Sequence, residues 1–279
     1  MVTPRKKISS ARRISGSIAR IAVASFIGLT IFLYFFQSYY LYRPMSDMIT
    51  TPDRLGLEYD RIMLRSSDGV NISAWFIPAP APRGVILFCH SNYGNISYFV
   101  DSAKIYHDLG FSTLLFDYRG FGASGGRPGE EGTYQDAEAA WNYLVHERKV
   151  APGDIVIVGR SLGGAVASWL AMKHRPRALA LESAFTSFPD LASDYYPYLP
   201  VRLIARYDYN TKEYLGTVTC PVLVVHSRDD EIVPYHHGLA LFRAAPENKR
   251  FMEISGTHND GYLTSGRRYE EGLEKFLSP

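Results

Sequence analysis

The run IVIVGRSLGGAVASWLA, residues 155–171, constrains the fold more than any other part of this chain. Ile155 to Val158 are all β-branched and apolar, the composition of a strand buried on both faces. From Leu162 the chain reads as a helix of apolar and small residues. Only Gly159, Arg160 and Ser161 stand between the two. A strand that passes so directly into a helix forces the residue at the apex into a strained backbone conformation. Glycines two places to either side of Ser161 remove the Cβ atoms that would collide there. The serine is thereby lifted above the end of a sheet, at a helix N-terminus, where the N–H of Leu162 faces the same spot. Gly164 and Ala165 are small enough to let helix and strand approach closely.

The surrounding sequence supplies the sheet. YDRIMLRSSDGVNISAWFIP reads as two strands about an Asp68-Gly69 turn. Short apolar strands follow at GVILFCH, STLLFDY, residues 155–158, 178–181, 222–226 and 250–254. Between them lie stretches of helical spacing: 98–109, TYQDAEAAWNYLVHER, 162–174, 235–245 and 262–277. Strands alternating with helices predict an α/β fold with a mostly parallel sheet covered on both faces, and ligands bind beyond the carboxyl ends of such strands. A long irregular stretch, residues 184–216, is the expected cap over those ends.

A nucleophilic serine needs a base, and the base an orienting acid. Three adjacent acids, Asp229, Asp230 and Glu231, follow the strand PVLVVHS. His258 follows the strand RFMEISG. Of the eight histidines, His90, His226 and His258 lie at strand ends, and only His258 comes after an acid in the order serine, acid, histidine. The loop after the GVILFCH strand, His90 to Asn95, offers a second backbone N–H for an oxyanion, with Asn92 as the candidate donor. The pair His236-His237 lies in a predicted helix, where neighbours point apart, and reads as surface.

These stretches together resemble the α/β-hydrolase fold enzymes, and look closest to the membrane-anchored abhydrolase-domain group that includes lysophospholipid hydrolases and protein depalmitoylases. CHSNYGNIS, DYRGFGASGG, GRSLGGAVA, HSRDDEIVP and SGTHNDGY run in that family's order from about residue 59 to the end. The resemblance implies Ser161 as nucleophile, Asp230 as the acid, His258 as the base, and Asn92 and Leu162 as oxyanion donors. Asp229 and Glu231 become flanking charges. Asp117 to Gly126 resembles a structural turn bracing the active-site floor, so Arg119 and Ser124 carry no catalytic role. Two departures stand out. Ser91 and Ser227 occupy positions where the family has glycine, and serine tolerates positive φ poorly, which bears on the geometry of the oxyanion loop.

The N-terminus carries a second message. Residues 1–20 hold six cations, Arg5, Lys6, Lys7, Arg12, Arg13 and Arg20, and no acid. Removing those six from the net charge of +2 leaves the remainder at −4. A mildly acidic body excludes the basic surface that nucleic acid requires. Residues 21–42 contain no charge, 22 positions, about the length that crosses a bilayer. Their far end is rich in Tyr and Phe, which suit the headgroup interface. A basic start also fits a cleaved signal peptide, but the apolar run is long and no small-residue cleavage site follows it. The expected organisation is a basic cytoplasmic tail (1–20), an uncleaved anchor (21–42), a linker (43–58) and a catalytic domain (59–279) with its cap at 184–216. Cations are dense before the span and mixed with acids after it. This places the N-terminus in the cytoplasm and the body on the outer side of a single-pass membrane protein. The two cysteines, Cys89 and Cys220, flank apolar strands and read as small buried hydrophobes rather than a disulfide.

The implied chemistry is acyl transfer without a cofactor or metal. Losing one oxyanion donor costs about 3 kcal/mol of transition-state stabilisation. Tyr93 in the oxyanion loop and Phe185 in the cap are the expected substrate-binding side chains. The cap is dense in aromatics, which serve equally as an apolar acyl pocket or as core packing. A lipid, an acylated protein or another hydrophobic ester suits an anchored enzyme with such a cap. Two other readings use the same residues: a peptidase or amidase with the same triad, and a non-catalytic binding module on a hydrolase scaffold. Nothing in the chain speaks to oligomeric state.

Overall fold

The computed structural model describes residues 10–278, with side chains from Ile14 onward. Arg5, Lys6 and Lys7 lie outside the described residues, as do the side chains of Arg12 and Arg13. A single long helix, α1 (Ser10–Leu41), leads into β1 (Arg43–Pro44). Then come β2 (Asp60–Arg65), β3 (Asn71–Ile77), β4 (Val85–Cys89), β5 (Tyr93–Gly94), α2 (Val100–Asp108), β6 (Ser112–Phe116), α3 (Glu130–Asn142), β7 (Ile155–Arg160), α4 (Leu162–Lys173) and β8 (Ala178–Glu182). The cap holds α5 (Phe188–Tyr195), α6 (Val201–Ile204) and α7 (Thr211–Leu215). It is followed by β9 (Val222–Ser227), α8 (Tyr235–Ala244), β10 (Lys249–Ile254), α9 (Gly261–Ser265) and α10 (Arg267–Leu277).

Eight strands form one sheet in the order β2-β3-β6-β4-β7-β8-β9-β10. Only β3 pairs antiparallel with its neighbours β2 and β6, and the rest is parallel. The β2–β3 hairpin turns at Gly69, whose φ of +85° suits glycine. Strand periodicity divides the core in two. Along β4, Val85, Leu87 and Cys89 pack with α3, α4 and α8, while Ile86 and Phe88 pack with α2 and α10. Both cysteines are buried and unpaired.

Three local expectations are corrected. The helix expected over 262–277 is two helices, broken at Gly266 (φ +47°, ψ −123°), a conformation that only glycine adopts readily. The stretch 43–58, expected as a linker, is packed onto the body. There β1 pairs in parallel with β5, and Pro52 and Leu57 are buried. Ser91 and Ser227 are not among the described residues with positive φ. The Ser227 hydroxyl instead donates to Gly256 O at 2.6 Å and accepts from Asp229 N at 3.1 Å, so serine adds a brace where glycine has none.

Helix α1 contains one stretch, Ile14–Leu41, long and apolar enough to cross a membrane; its most apolar part has a mean hydropathy of 2.0 and holds no buried residue, while Leu41 at its end is buried. The residues just after the helix are held to the body by backbone and side-chain bonds alike. Tyr42 OH lies 2.7 Å from Tyr209 OH, and Arg43 N donates to Asn92 O at 2.8 Å.

Candidate active site

The turn at Ser161 is strained, and it lies at the sheet's carboxyl edge. Ser161 sits at φ 55° and ψ −121° between β7 and α4. Its N–H donates to Glu182 O at 2.9 Å, and its own carbonyl accepts from Gly164 N at 2.9 Å. A Cβ on Gly159 would strike the Gly163 carbonyl and come within 2.6 Å of Ala167 Cβ. A Cβ on Gly163 would strike the carbonyls of Cys89 and His90, the latter at 2.5 Å. One on Gly164 would meet Ala184 Cβ at 2.5 Å. Gly159 and Gly163 are thus explained by close backbone approach and Gly164 by the Ala184 methyl, the tight strand-to-helix turn expected from the sequence.

Asp230 and His258 come together from different loops. His258 Nδ1 lies 2.9 Å from both carboxylate oxygens of Asp230. Asp230 Oδ1 also accepts from Val233 N at 2.7 Å and Ile232 N at 3.0 Å. Burial works to raise the Asp230 carboxyl, but the hydrogen bond and charge of His258, with the Val233 N–H, hold it below the ordinary carboxylate value. The acceptor on Nδ1 assigns the ring proton there and leaves Nε2 with its lone pair. Glu231, expected only as a flanking charge, accepts the His258 backbone N–H at 3.0 Å and fixes the loop that carries it. Among the described residues the Ser161 hydroxyl makes no hydrogen bond, and such nucleophile–base contacts are often long before substrate binds.

Ser161 opens into a cavity of about 330 Å³. Asn92 and Leu162 line it, and among the described residues neither backbone N–H donates to another protein group. Phe185, Tyr195 and Ile232 supply apolar wall, so Phe185 stands where it was expected. Tyr93 does not. The β1–β5 pairing turns its ring outward, half exposed, against the edge of Tyr98. The cap aromatics divide between the two roles left open by the sequence. Tyr209 is wholly buried packing, while Tyr195 and Tyr196 line the cavity.

His90 and Asp117 brace the loop bearing Asn92. His90 Nδ1 donates to Ser91 O at 2.7 Å, and Asp117 Oδ1 accepts from Ile96 N at 2.9 Å. Arg119 is committed to Asp136 and Asp68, and Ser124 Oγ accepts from Ser73 N at 2.9 Å, as a structural turn requires.

Three features were missed by sequence reasoning. Arg160, the variable residue of the turn, is buried and bonds Glu182 Oε2 at 2.7 and 2.9 Å and Ser102 Oγ at 3.0 Å. Its guanidinium lies 3.9 Å from the Tyr262 ring centre, and Glu182 Oε1 accepts from Tyr106 and Tyr269. A charged residue between two apolar strand ends was the available signal. Second, the end of α1 is part of the site. Tyr40 and Leu41 line the cavity, and Asn92 Nδ2 donates to Leu41 O at 2.6 Å. Third, His236 and His237 do not point apart. Both Nε2 atoms lie 3.0 Å from Asp194 Oδ2, and His237 is buried. The physical reason is reach, since Asp194 comes from α5 and meets both rings. These three groups bring ligand atoms within 4.8 Å of one another. However, Thr186 N donates to His237 Nδ1 at 3.2 Å, so Nε2 carries the hydrogen and gives it to Asp194, which makes this a cap-to-α8 tie.

Comparison with known proteins agrees with the fold. The profile of the alpha/beta hydrolase fold family matches residues 84–203. The alpha/beta hydrolase domain-containing protein WAV2 of Arabidopsis thaliana is 36% identical over 249 residues, covering 81% of each chain. An uncharacterised membrane protein of Saccharomyces cerevisiae is 32% identical over 237 residues, covering 82% of this chain and 83% of its own. Among solved structures, an esterase from Pyrococcus furiosus superposes with a TM-score of 0.71 at 18% identity, over 85% of this chain and 96% of that one. The strained serine turn, the sheet order and these relatives agree: the chain belongs to the α/β-hydrolase fold family.

Proposed function

We propose that the protein is a serine hydrolase that cleaves ester or thioester bonds of hydrophobic acyl substrates through an acyl-enzyme on Ser161. The observation that carries this reading is the His258 ring held by both oxygens of Asp230 at 2.9 Å, behind a serine strained into an apolar cavity. Ser161 Oγ attacks the acyl carbon and its proton passes to His258 Nε2, while Asp230 stabilises the imidazolium. The carbonyl oxygen becomes an oxyanion between the N–H groups of Asn92 and Leu162. Collapse breaks the bond to the leaving alcohol or thiol, which takes the proton from His258. Water then attacks the acyl-enzyme by the same route in reverse roles, releasing the acid and restoring Ser161. The esterase from Pyrococcus furiosus that shares the fold lends this reading support, as does the apolar lining around Ser161.

The same proposal has α1 as a membrane anchor, with the N-terminus cytoplasmic and the body on the outer side. The exposed apolar length of α1, the cations before it and the yeast relative's description as a membrane protein support this. The test is fluorophosphonate labelling of detergent-solubilised full-length protein, wild type beside Ser161→Ala, with p-nitrophenyl esters assayed in parallel. Labelling and turnover that vanish together in Ser161→Ala are expected. A folded wild type that neither labels nor turns over any ester overturns the reading.

A further inference from the structure

Beside the Ser161 cavity lies a second one of about 270 Å³, enclosed between the last turns of α1 and the cap. Leu33, Gln37 and Tyr40 form one wall; Ala192, Val201 and Ile204 form the other. Its one amide is already occupied. Gln37 Nε2 donates to Ile204 O at 2.6 Å, and its Oε1 accepts from Arg206 N at 2.8 Å. What remains for a ligand is mostly hydrocarbon and ring faces, with the hydroxyls of Tyr40 and Tyr196 at the rim shared with the Ser161 cavity. The Ser161 cavity alone is at the small end of the range for small-molecule sites, about 300–1,000 Å³, and the second falls just below it.

The two cavities are neighbours. Tyr40, Phe188, Ala192 and Tyr196 line both, so one layer of side chains separates them. Tyr40 and Tyr196 in that layer are 48% and 47% exposed, and neither hydroxyl has a hydrogen-bond partner among the described residues. The setting is apolar on the outside as well. Leu33 lies within the stretch able to cross a membrane, and on the cap beside it Leu203 is 86% exposed and Tyr198 68% exposed. Apolar side chains so exposed next to a membrane-spanning helix belong to a surface that meets lipid. Arg206 lies 5.5 Å from the Tyr34 ring, a pairing suited to the headgroup level.

We propose that this second cavity holds the acyl chain of a bilayer ester lipid, which enters sideways between α1 and the cap and presents its carbonyl to Ser161. The helix that anchors the protein is then also one wall of its substrate site. The inference rests on the acyl-transfer reading of Ser161, and its test separates the two. Full-length protein in detergent micelles is assayed on p-nitrophenyl butyrate and p-nitrophenyl palmitate, wild type beside Ala205→Trp and Ala205→Leu. Ala205 lines the second cavity and not the first. The palmitate-to-butyrate ratio of kcat/KM is expected to fall at least tenfold in Ala205→Trp and about threefold in Ala205→Leu. A ratio that neither variant moves, with butyrate still turned over, overturns the acyl-chain site and leaves the hydrolase reading standing. No turnover of either ester by wild type removes both. Should Ala205→Trp fail to fold, a palmitoyl lipid with a diazirine near the chain end, placed in phosphatidylcholine vesicles with Ser161→Ala protein, supplies the second measurement. Crosslinks in residues 199–205 are expected. Crosslinks confined to Phe185 and Ile232 overturn the proposal.

Discussion

Asp117 follows β6 with its carboxylate sealed from water. One oxygen accepts from Ile96 N and the other has no partner. Burial pushes this carboxyl up to about 7, against the lowering effect of the Ile96 N–H. His90 Nε2 lies 3.7 Å away, and burial brings that ring down to about 4. The two act oppositely on stability. Asp117 keeps its proton to higher pH in the folded chain than in the unfolded one. Its contribution is therefore whole below about pH 4 and lost as pH rises through about 7. His90 stays neutral in the fold, so its contribution is present above about pH 6.5 and lost as pH falls through about 4. Asp117→Asn removes only the first of these. The Tm of Asp117→Asn relative to wild type is expected to climb between pH 4 and pH 8 in thermal scans of detergent-solubilised protein. A pH-independent difference contradicts a protonated Asp117.

At the scale of elements, the β7–α4 turn shows which features a sequence reveals. Gly159 was legible because the contact it answers, with Gly163 and Ala167, lies within a few residues, and Ser161 and Gly163 because they complete the spacing of the same tight turn, although the contact Gly163 answers is with the distant carbonyls of Cys89 and His90. The Asp68-Gly69 hairpin and the alternation of apolar strands with helices were legible for the same local reason. Arg160 was not, because its partners Glu182, Ser102 and Tyr262 arrive from other elements. Tyr93 was misplaced because β1, about fifty residues earlier, pairs with its backbone. The break at Gly266 was hidden because the apolar spacing of Tyr269, Leu273 and Leu277 continues the helical pattern beyond it. The Arg160–Glu182 pair lies at the Ser161 turn, and Glu182 O also accepts Ser161 N–H. Removing one partner leaves a buried charge uncompensated, a loss of about 3–5 kcal/mol, whereas replacing both by apolar groups is far milder. Denaturant unfolding of Arg160→Met, Glu182→Leu and the double variant checks this. The double variant is expected to be more stable than either single one, and additive losses would count against a buried ion pair.

At the scale of the whole molecule, α1 is 32 residues long, about 48 Å, against a hydrocarbon thickness of about 30 Å. The surplus is where helix and body meet. Leu41 O accepts the Asn92 side chain, Arg43 N bonds Asn92 O, and Met45 N bonds Gly94 O at 3.0 Å. Tyr42 joins Tyr209, whose hydroxyl also lies 3.0 Å from Thr133 Oγ1 on α3. The candidate oxyanion loop is therefore fastened from outside by the residues that leave α1. A helix that served only as a tether could be cut anywhere before the body without affecting the chemistry. Two deletions distinguish the cases. Removing residues 1–30 keeps the turns that touch Asn92 and the cap, and kcat on p-nitrophenyl butyrate should stay within about twofold of wild type. Removing residues 1–44 frees Asn92 and opens the cavity wall, and kcat should fall about a hundredfold, the cost of misplacing one oxyanion donor, with a lower Tm from the lost Tyr42–Tyr209 contact. Equal kcat for the two truncations would make the helix a tether alone. A loss confined to the longer deletion would make the last turns of the helix part of the catalytic body, so that α1 itself builds one side of the candidate site.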